Sequence, residues 1–307
     1  MKKLAVISGK GGTGKTTFVA NMAFLAGEVV LADCDVDAPN LHLLMSPEIT
    51  HREDYYGASL AVKDDSLCND CGTCRELCHF GADDKNYEIK DYKCEGCGLC
   101  VARCPENALS LVEHKTGEIY YSQACTGPMV HARLEIGAEN SGRLVSRVKK
   151  EAEKQADNAE SELIIVDGSP GVGCPVIASL GGVDGALIIS EPTKSGISDM
   201  ERIVELLDHF AIPGYMVINK YDINTELTQH IADYCQENDI PLLGKTPFDE
   251  SVVRAMEQGE FLVRFPGGSP AARSLREIWK LTKETLFKDE NIYENHKHRQ
   301  IQHNLGE

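Results

Sequence analysis

Eight cysteines fall in two runs of one spacing, Cys68-x2-Cys71-x2-Cys74-x3-Cys78 and Cys94-x2-Cys97-x2-Cys100-x3-Cys104-Pro105. Thiolate is a soft, charged donor, and two-residue gaps let three cysteines of a run wrap one four-iron cubane while the fourth crosses to its neighbour. By that crossing rule Cys68, Cys71, Cys74 and Cys104 hold one [4Fe–4S] cluster, and Cys94, Cys97, Cys100 and Cys78 hold a second. Gly72, Gly96 and Gly98 permit tight wrapping of the backbone with N–H groups aimed at sulfur. Zinc fits less well, because its sites take four ligands in two separated pairs. His79 follows Cys78 where the pattern expects the proline that follows Cys104.

A second chemistry opens the chain. Gly9-Lys10-Gly11-Gly12-Thr13-Gly14-Lys15-Thr16 has the form of a phosphate-binding loop, with Thr17 following as a further phosphate contact. In such a loop the backbone N–H groups point at phosphate oxygens, the lysine (Lys15) reaches the β and γ phosphates, and the hydroxyl (Thr16) binds magnesium. Lys10 is an additional lysine that the simple pattern does not require. Two acidic segments close apolar stretches downstream: Asp33-Cys34-Asp35-Val36-Asp37-Ala38-Pro39-Asn40 and Asp167-Gly168-Ser169-Pro170-Gly171. Asn219-Lys220-Tyr221-Asp222 has the outward form of a guanine-reading motif; a short polar motif is weak without its structural context, so on these residues ATP and GTP both stay open.

The elements that must hold these residues alternate. Apolar runs predict strands over 3–8, 29–33, 163–167, 186–190, 215–219 and 242–246, and amphipathic periodicity predicts helices over 15–26, 141–157, 198–210, 225–238 and 271–287. Ser141 is read as a cap for its helix. Alternation of this kind implies an α/β fold, a doubly wound and mainly parallel sheet with ligands at the carboxyl ends of its strands. The pattern breaks after about residue 45 and resumes near 120, around the cysteine block. The expected organisation is therefore a nucleotide domain over 1–56 and 120–287, a small inserted α+β unit over 57–119, and a polar tail over 288–307. His296, His298 and His303 in that tail are read as solvated residues rather than metal ligands.

From the glycine-rich loop with its extra Lys10, and the two acidic segments, the chain resembles the MinD/ParA/Mrp group of P-loop ATPases with a deviant Walker A motif. The resemblance implies that Asp35 orients the attacking water, that Asp33 and Asp167 hold Mg2+ through water, and that Lys10 reaches across a dimer to the partner's phosphates. It also implies that Asn219 contacts adenine and that Pro247, Phe248 and Asp249 line the base. With the cysteine runs included, the whole resembles MinD-superfamily ATPases carrying an inserted bacterial-ferredoxin domain, through Gly127-Pro128-Met129-Val130-His131-Ala132-Arg133-Leu134 and Glu139-Asn140-Ser141-Gly142 as well. The implied function is ATP hydrolysis in a homodimer, or a heterodimer with a related ATPase, whose nucleotide state gates electron transfer from two clusters to a protein redox partner. The alternatives are an iron–sulfur assembly or carrier ATPase of the Mrp type and a MinD/ParA-like spatial regulator.

Composition narrows the setting. The 307 residues are 42% hydrophobic, with no apolar run near the roughly 20 residues of a spanning helix and no signal-peptide core. The tail also lacks the basic, apolar-faced helix by which MinD proteins grip membrane. A cytoplasmic protein with reduced thiols is expected. The formal charge of −17 argues against nucleic acid and suits steering towards a basic protein. Cys34, Cys125, Cys174 and Cys235 are left over and are read as small buried core residues. Cys174 lies seven residues after Asp167, where nitrogenase-iron-protein-like ATPases place a ligand for a shared cluster; that reading needs Cys125 at the same interface.

Overall fold

The computed structural model describes residues 1–83, 88–135, 137–138, 141–265 and 268–288. Glu139, Asn140 and the three tail histidines lie outside the described residues.

Among the described residues nine strands form one sheet, in the order β11 (Leu242–Thr246), β10 (Gly214–Asn219), β9 (Gly185–Ser190), β1 (Lys2–Ser8), β8 (Leu163–Pro170), β2 (Val30–Asp33), β7 (Gly127–Leu134), β6 (Gly117–Ala124) and β3 (Glu48–Tyr55). Its centre is β1 (Lys2–Ser8), β8 (Leu163–Pro170), β9 (Gly185–Ser190) and β2 (Val30–Asp33). These strands are apolar and buried almost throughout, as strands covered on both faces must be. β10 (Gly214–Asn219) and β11 (Leu242–Thr246) continue the sheet on one side and β7 (Gly127–Leu134) on the other, all parallel. One face packs on α5 (Ser141–Asn158), α6 (Cys174–Leu180), α7 (Lys194–His209) and α8 (Thr225–Glu237). The other packs on α1 (Lys15–Ala26), α2 (Leu41–Met45), α9 (Glu250–Glu257) and α10 (Pro270–Lys288). The mainly parallel, doubly wound sheet expected from alternation is present. No described helix is long and apolar enough to cross a membrane.

Three local expectations are corrected. The frame resumes with β6 (Gly117–Ala124), three residues before position 120, and β6 pairs antiparallel with both β7 and β3 (Glu48–Tyr55). This antiparallel edge interrupts the strand–helix alternation and so escaped a reading built on that rhythm. Helix α7 begins at Lys194 rather than 198, because the Thr193 hydroxyl accepts from the Gly196 N–H at 3.0 Å and caps it. Ser141 is the first helical residue of α5 rather than its cap.

Between β3 and β6 the chain leaves this sheet. β4 (Ala58–Lys63) and β5 (Leu109–His114) pair antiparallel, from Ala58 opposite His114 to Lys63 opposite Leu109. Two five-residue helices, α3 (Thr73–Leu77) and α4 (Leu99–Arg103), pack together over this ribbon. The neck is two-stranded: the Thr116 N–H donates to the Tyr55 carbonyl at 2.8 Å, where β3 ends and β6 is about to begin.

Candidate functional site

The loop after β1 turns into α1 through Gly12 and Gly14, both left-handed, with φ of 82° and 91°. A side chain at Gly14 would meet the Asn219 amide nitrogen at 2.7 Å, so glycine is required on both steric counts. The N-terminus of α1 then presents free N–H groups to the carboxyl edge of the sheet, a ready anion site. Lys15 lies at its floor, only 6% exposed, with Nζ 2.6 Å from the fully buried Asp167 Oδ1. Burial pushes the Lys15 pKa down, but the charge and hydrogen bond of Asp167, helped by Asp35 and Asp33, carry it up overall.

Asp33 and Asp167 are register partners on the adjacent strands β2 and β8. Burial, and then the Asp167 charge, push the Asp33 carboxyl well up. Its two oxygens accept the Asp35 N–H at 3.1 Å and the Leu41 N–H at 3.3 Å. Asp167 Oδ2 is buried and has no hydrogen-bond partner among the described residues, an acceptor in want of a donor or a cation. Asp35 is half-buried in the wall, its carboxyl raised by burial and by Asp167 and Asp37.

A cleft of about 680 Å³ opens above this floor, bringing together Lys10, Gly11, Gly12, Thr13, Gly14, Lys15, Thr16, Thr17, Asp35, Asn219, Pro247, Phe248 and Asp249. Gly9 stands apart, packed so close to Asp199 that an added Cβ would sit 2.1 Å from that residue's own Cβ. At the far end Asn219 Nδ2 donates to the Thr13 carbonyl at 2.8 Å and fixes the loop. Asp222 Oδ1 accepts the Phe248 N–H at 2.7 Å, which ties this carboxylate to the segment lining the cleft. Asp249 acts locally: it caps α9 through the Ser251 N–H at 2.9 Å and receives the Ala271 N–H at 3.3 Å. Phe248, exposed, is left as the flat apolar group of the Pro-Phe-Asp segment.

The cysteine unit repeats itself at the level of backbone. The two runs are offset by 26 residues, and so are their left-handed residues: Asp70 and Gly96, Gly72 and Gly98, Gly81 and Asn107. The Ala82 N–H donates to Cys78 Sγ at 3.4 Å, and its counterpart Ala108 N–H donates to Cys104 Sγ at 3.2 Å. One cavity is walled by Cys68, Cys71, Cys74 and Cys104, three thiols of the first run and the last of the second. In the second half, burial raises the Cys100 pKa, and Cys94 and Cys97 lie close enough to add to it. Cys74 Sγ donates to Asp83 Oδ2 at 2.9 Å; burial and that carboxylate push the thiol up to about 12. Among the described residues no three His, Cys, Asp or Glu side chains converge on a single ion; a cubane takes its thiolates at separate corners and does not need them to.

The leftover cysteines divide. Cys34 and Cys235 are core residues as expected, but Cys125 and Cys174 are exposed, the first in the β6–β7 turn and the second opening α6. Sequence reasoning missed Glu191, which ion-pairs with both Lys10 and Lys220. A lone glutamate after a strand carries no motif, and only the fold brings it beside the phosphate loop.

The CobQ/CobB/MinD/ParA nucleotide-binding domain family model matches residues 4–263. An uncharacterised protein of Methanocaldococcus jannaschii is 34% identical over 92% of this chain and 97% of its own. A protein of the same organism described as an uncharacterised ATP-binding protein is 26% identical over 90% of this chain and 85% of its own. Among solved structures, the septum site-determining protein MinD of Pyrococcus horikoshii, complexed with Mg-ADP, superposes with a TM-score of 0.57 at 17% identity, covering 92% of this chain and 96% of that one. With its glycine-rich loop, strand-end acids and doubly wound sheet, the chain belongs to the CobQ/CobB/MinD/ParA family of P-loop nucleotide-binding ATPases.

Proposed function

We propose that this protein is an ATPase whose nucleotide state gates electron transfer from two ferredoxin-type [4Fe–4S] clusters to a protein partner. The observation that carries the reading is the cavity walled by Cys68, Cys71, Cys74 and Cys104, the set that the crossing rule names. The donor chemistry fits, because these are four thiols on a backbone that repeats its left-handed turns and its N–H···S bonds in both halves. Cys94, Cys97, Cys100 and Cys78 would hold the second cluster. Bound there, the clusters would supply one-electron carriers.

ATP is favoured over GTP by the ATP-binding description of one relative, and the Asp222 carboxylate has a structural role in holding the Phe248 N–H. Thr16, Asp33 and Asp167 would hold magnesium, for which the unpartnered Asp167 Oδ2 is an opening. Asp35, in the cleft wall, would orient the attacking water, and Lys10 would cross to the partner's phosphates in a nucleotide-bound dimer. The ribbon bearing the cysteines continues from β3 and β6, beside β7 and then β2, which ends at Asp33. A change at the phosphate floor therefore has a short path to the cysteine unit. We place the protein in the cytoplasm, where thiols stay reduced.

The test is anaerobic reconstitution followed by EPR and redox titration with ATP, ADP and no nucleotide. About eight iron per chain and nucleotide-dependent spectra or potentials are expected. Spectra and electron transfer indifferent to nucleotide would sink the gating, and cluster loss matched by activation of an apo-acceptor would favour the carrier reading.

A further inference from the structure

Lys10 is tied back onto its own chain. Its ammonium lies 3.1 Å from Thr193 Oγ1, 3.5 Å from Ser195 Oγ and 3.5 Å from Glu191 Oε2. Thr193 caps α7, so the cation sits at a helix N-terminus, the positive end of the helix dipole and an unfavourable place for it. What offsets this is Glu191, a carboxylate whose side chain is only 11% exposed. Its other oxygen, Oε1, pairs with Lys220 Nζ, which also donates to the Gly12 carbonyl at 3.4 Å.

We propose that Glu191 is a positioning residue, a latch that parks Lys10 in its own subunit, and that Lys220 weakens the latch by sharing the same carboxylate. The proposal rests on the reading of Lys10 as the lysine that crosses a nucleotide-bound dimer. To cross, Lys10 must give up Glu191, and the glutamate is then left paired with Lys220 rather than bare. The Asn-Lys-x-Asp sequence is accounted for in the same stroke: Asp222 holds the Phe248 N–H, and Lys220 serves Glu191. Two members of the motif thus have structural jobs other than reading guanine.

The latch predicts opposite effects of two neutralising changes. Glu191→Gln removes the anion that offsets the helix dipole, so Lys10 is released more readily. Lys220→Met removes the competitor, so Glu191 holds Lys10 more tightly. A role confined to stability would move both variants the same way. The measurement is the dimer dissociation constant by sedimentation, on the full cluster-bearing chain with magnesium and a non-hydrolysable ATP analogue at concentrations shown by titration to saturate each variant. E191Q should dimerise at about two- to fivefold lower concentration and K220M at a similarly higher one, the scale of a partly exposed ion pair. E191D, which keeps the charge, should return the constant towards that of the unaltered chain. Equal constants, or shifts in one direction for both variants, overturn the latch while leaving the dimer reading intact. If the unaltered chain binds the analogue and stays monomeric, the reading of Lys10 falls and the latch falls with it.

Discussion

Lys15 and Asp167 close on each other across the phosphate cradle, Nζ to Oδ1 at 2.6 Å with both side chains buried. A phosphate that recruits Lys15 takes this partner from Asp167, whose Oδ2 is already without one. A buried acceptor left unmade costs about 1–3 kcal/mol, and more when it is charged. A hydrated divalent cation would satisfy both oxygens, so phosphate and cation should bind together. Removing magnesium with a chelator is expected to weaken ATP binding at least about tenfold, the equivalent of about 1.4 kcal/mol. Asp167→Asn, which puts a neutral amide there, should shrink that gap to about threefold or less. Calorimetric titrations of both proteins with and without the cation measure it, and equal gaps would show that Asp167 does not link the two.

Asp222 is expected to support the base site without choosing guanine. Its carboxylate receives the Phe248 N–H at 2.7 Å and so orders the segment that walls the cleft. Asp222→Ala leaves that N–H unpaired and lets Phe248 drift, which should weaken ATP binding by about 1–2 kcal/mol, the scale of a lost charge-assisted hydrogen bond. GTP binding should stay weaker than ATP binding in both proteins. Competition titrations decide; a preference for GTP in the unaltered chain that Asp222→Ala abolishes would restore the guanine reading.

Much of this frame was legible because its signals are local and periodic. The β1–loop–α1 unit needs only an apolar run, glycines at two left-handed positions and the helix that follows, all contiguous in the chain. The cysteine unit is equally contiguous, and its 26-residue offset reappears in the backbone angles. What escaped was relational. The Lys10–Glu191–Lys220 cluster joins three separate loops at the sheet edge, and no spacing in the chain records it. The exposure of Cys174 depends on where α6 lies, and the antiparallel pairing of β3 with β6 depends on partners more than sixty residues apart.

The crossing of ligands gives the cysteines a pattern of loss that no single-run site would give. Cys104 lies in the second run, yet shares a cavity with Cys68, Cys71 and Cys74. Cys104→Ser and Cys68→Ser should therefore abolish the same EPR signal, while Cys78→Ser and Cys94→Ser abolish the other. Each should lower bound iron by up to about four per chain. Gly96→Ala should mimic the second pair, because its Cβ would lie 2.2 Å from the Ser59 carbonyl oxygen at φ of 60°. If Cys104→Ser instead matches Cys94→Ser, the two runs bind separately and the crossing is wrong.

His131 should make the fold sensitive to acid. It is 6% exposed, faces Asp33 in the β2–β7 register and stacks between His42 at 5.8 Å and Tyr120 at 4.9 Å. Ser122 Oγ lies 3.0 Å from its Nε2. Burial, with a contribution from His42, pushes its pKa down to about 4. Because the unfolded chain then takes up the proton first, near pH 6.5, the stability tied to neutral His131 is present above that value and is lost as pH falls towards 4. Between pH 7.5 and 5.0 the loss should be about 2 kcal/mol. His42, next to the Leu41 whose N–H donates to Asp33, is shifted the same way by burial and by Arg133, so protonation would load positive charge beside the phosphate floor. His131→Phe keeps a ring in the stack and cannot titrate. Urea unfolding of both proteins at the two pH values should show the smaller pH dependence in the variant, with acid effects on the cysteine unit common to both and cancelling in the comparison. An equal dependence in the two proteins would mean that the acid sensitivity has another source.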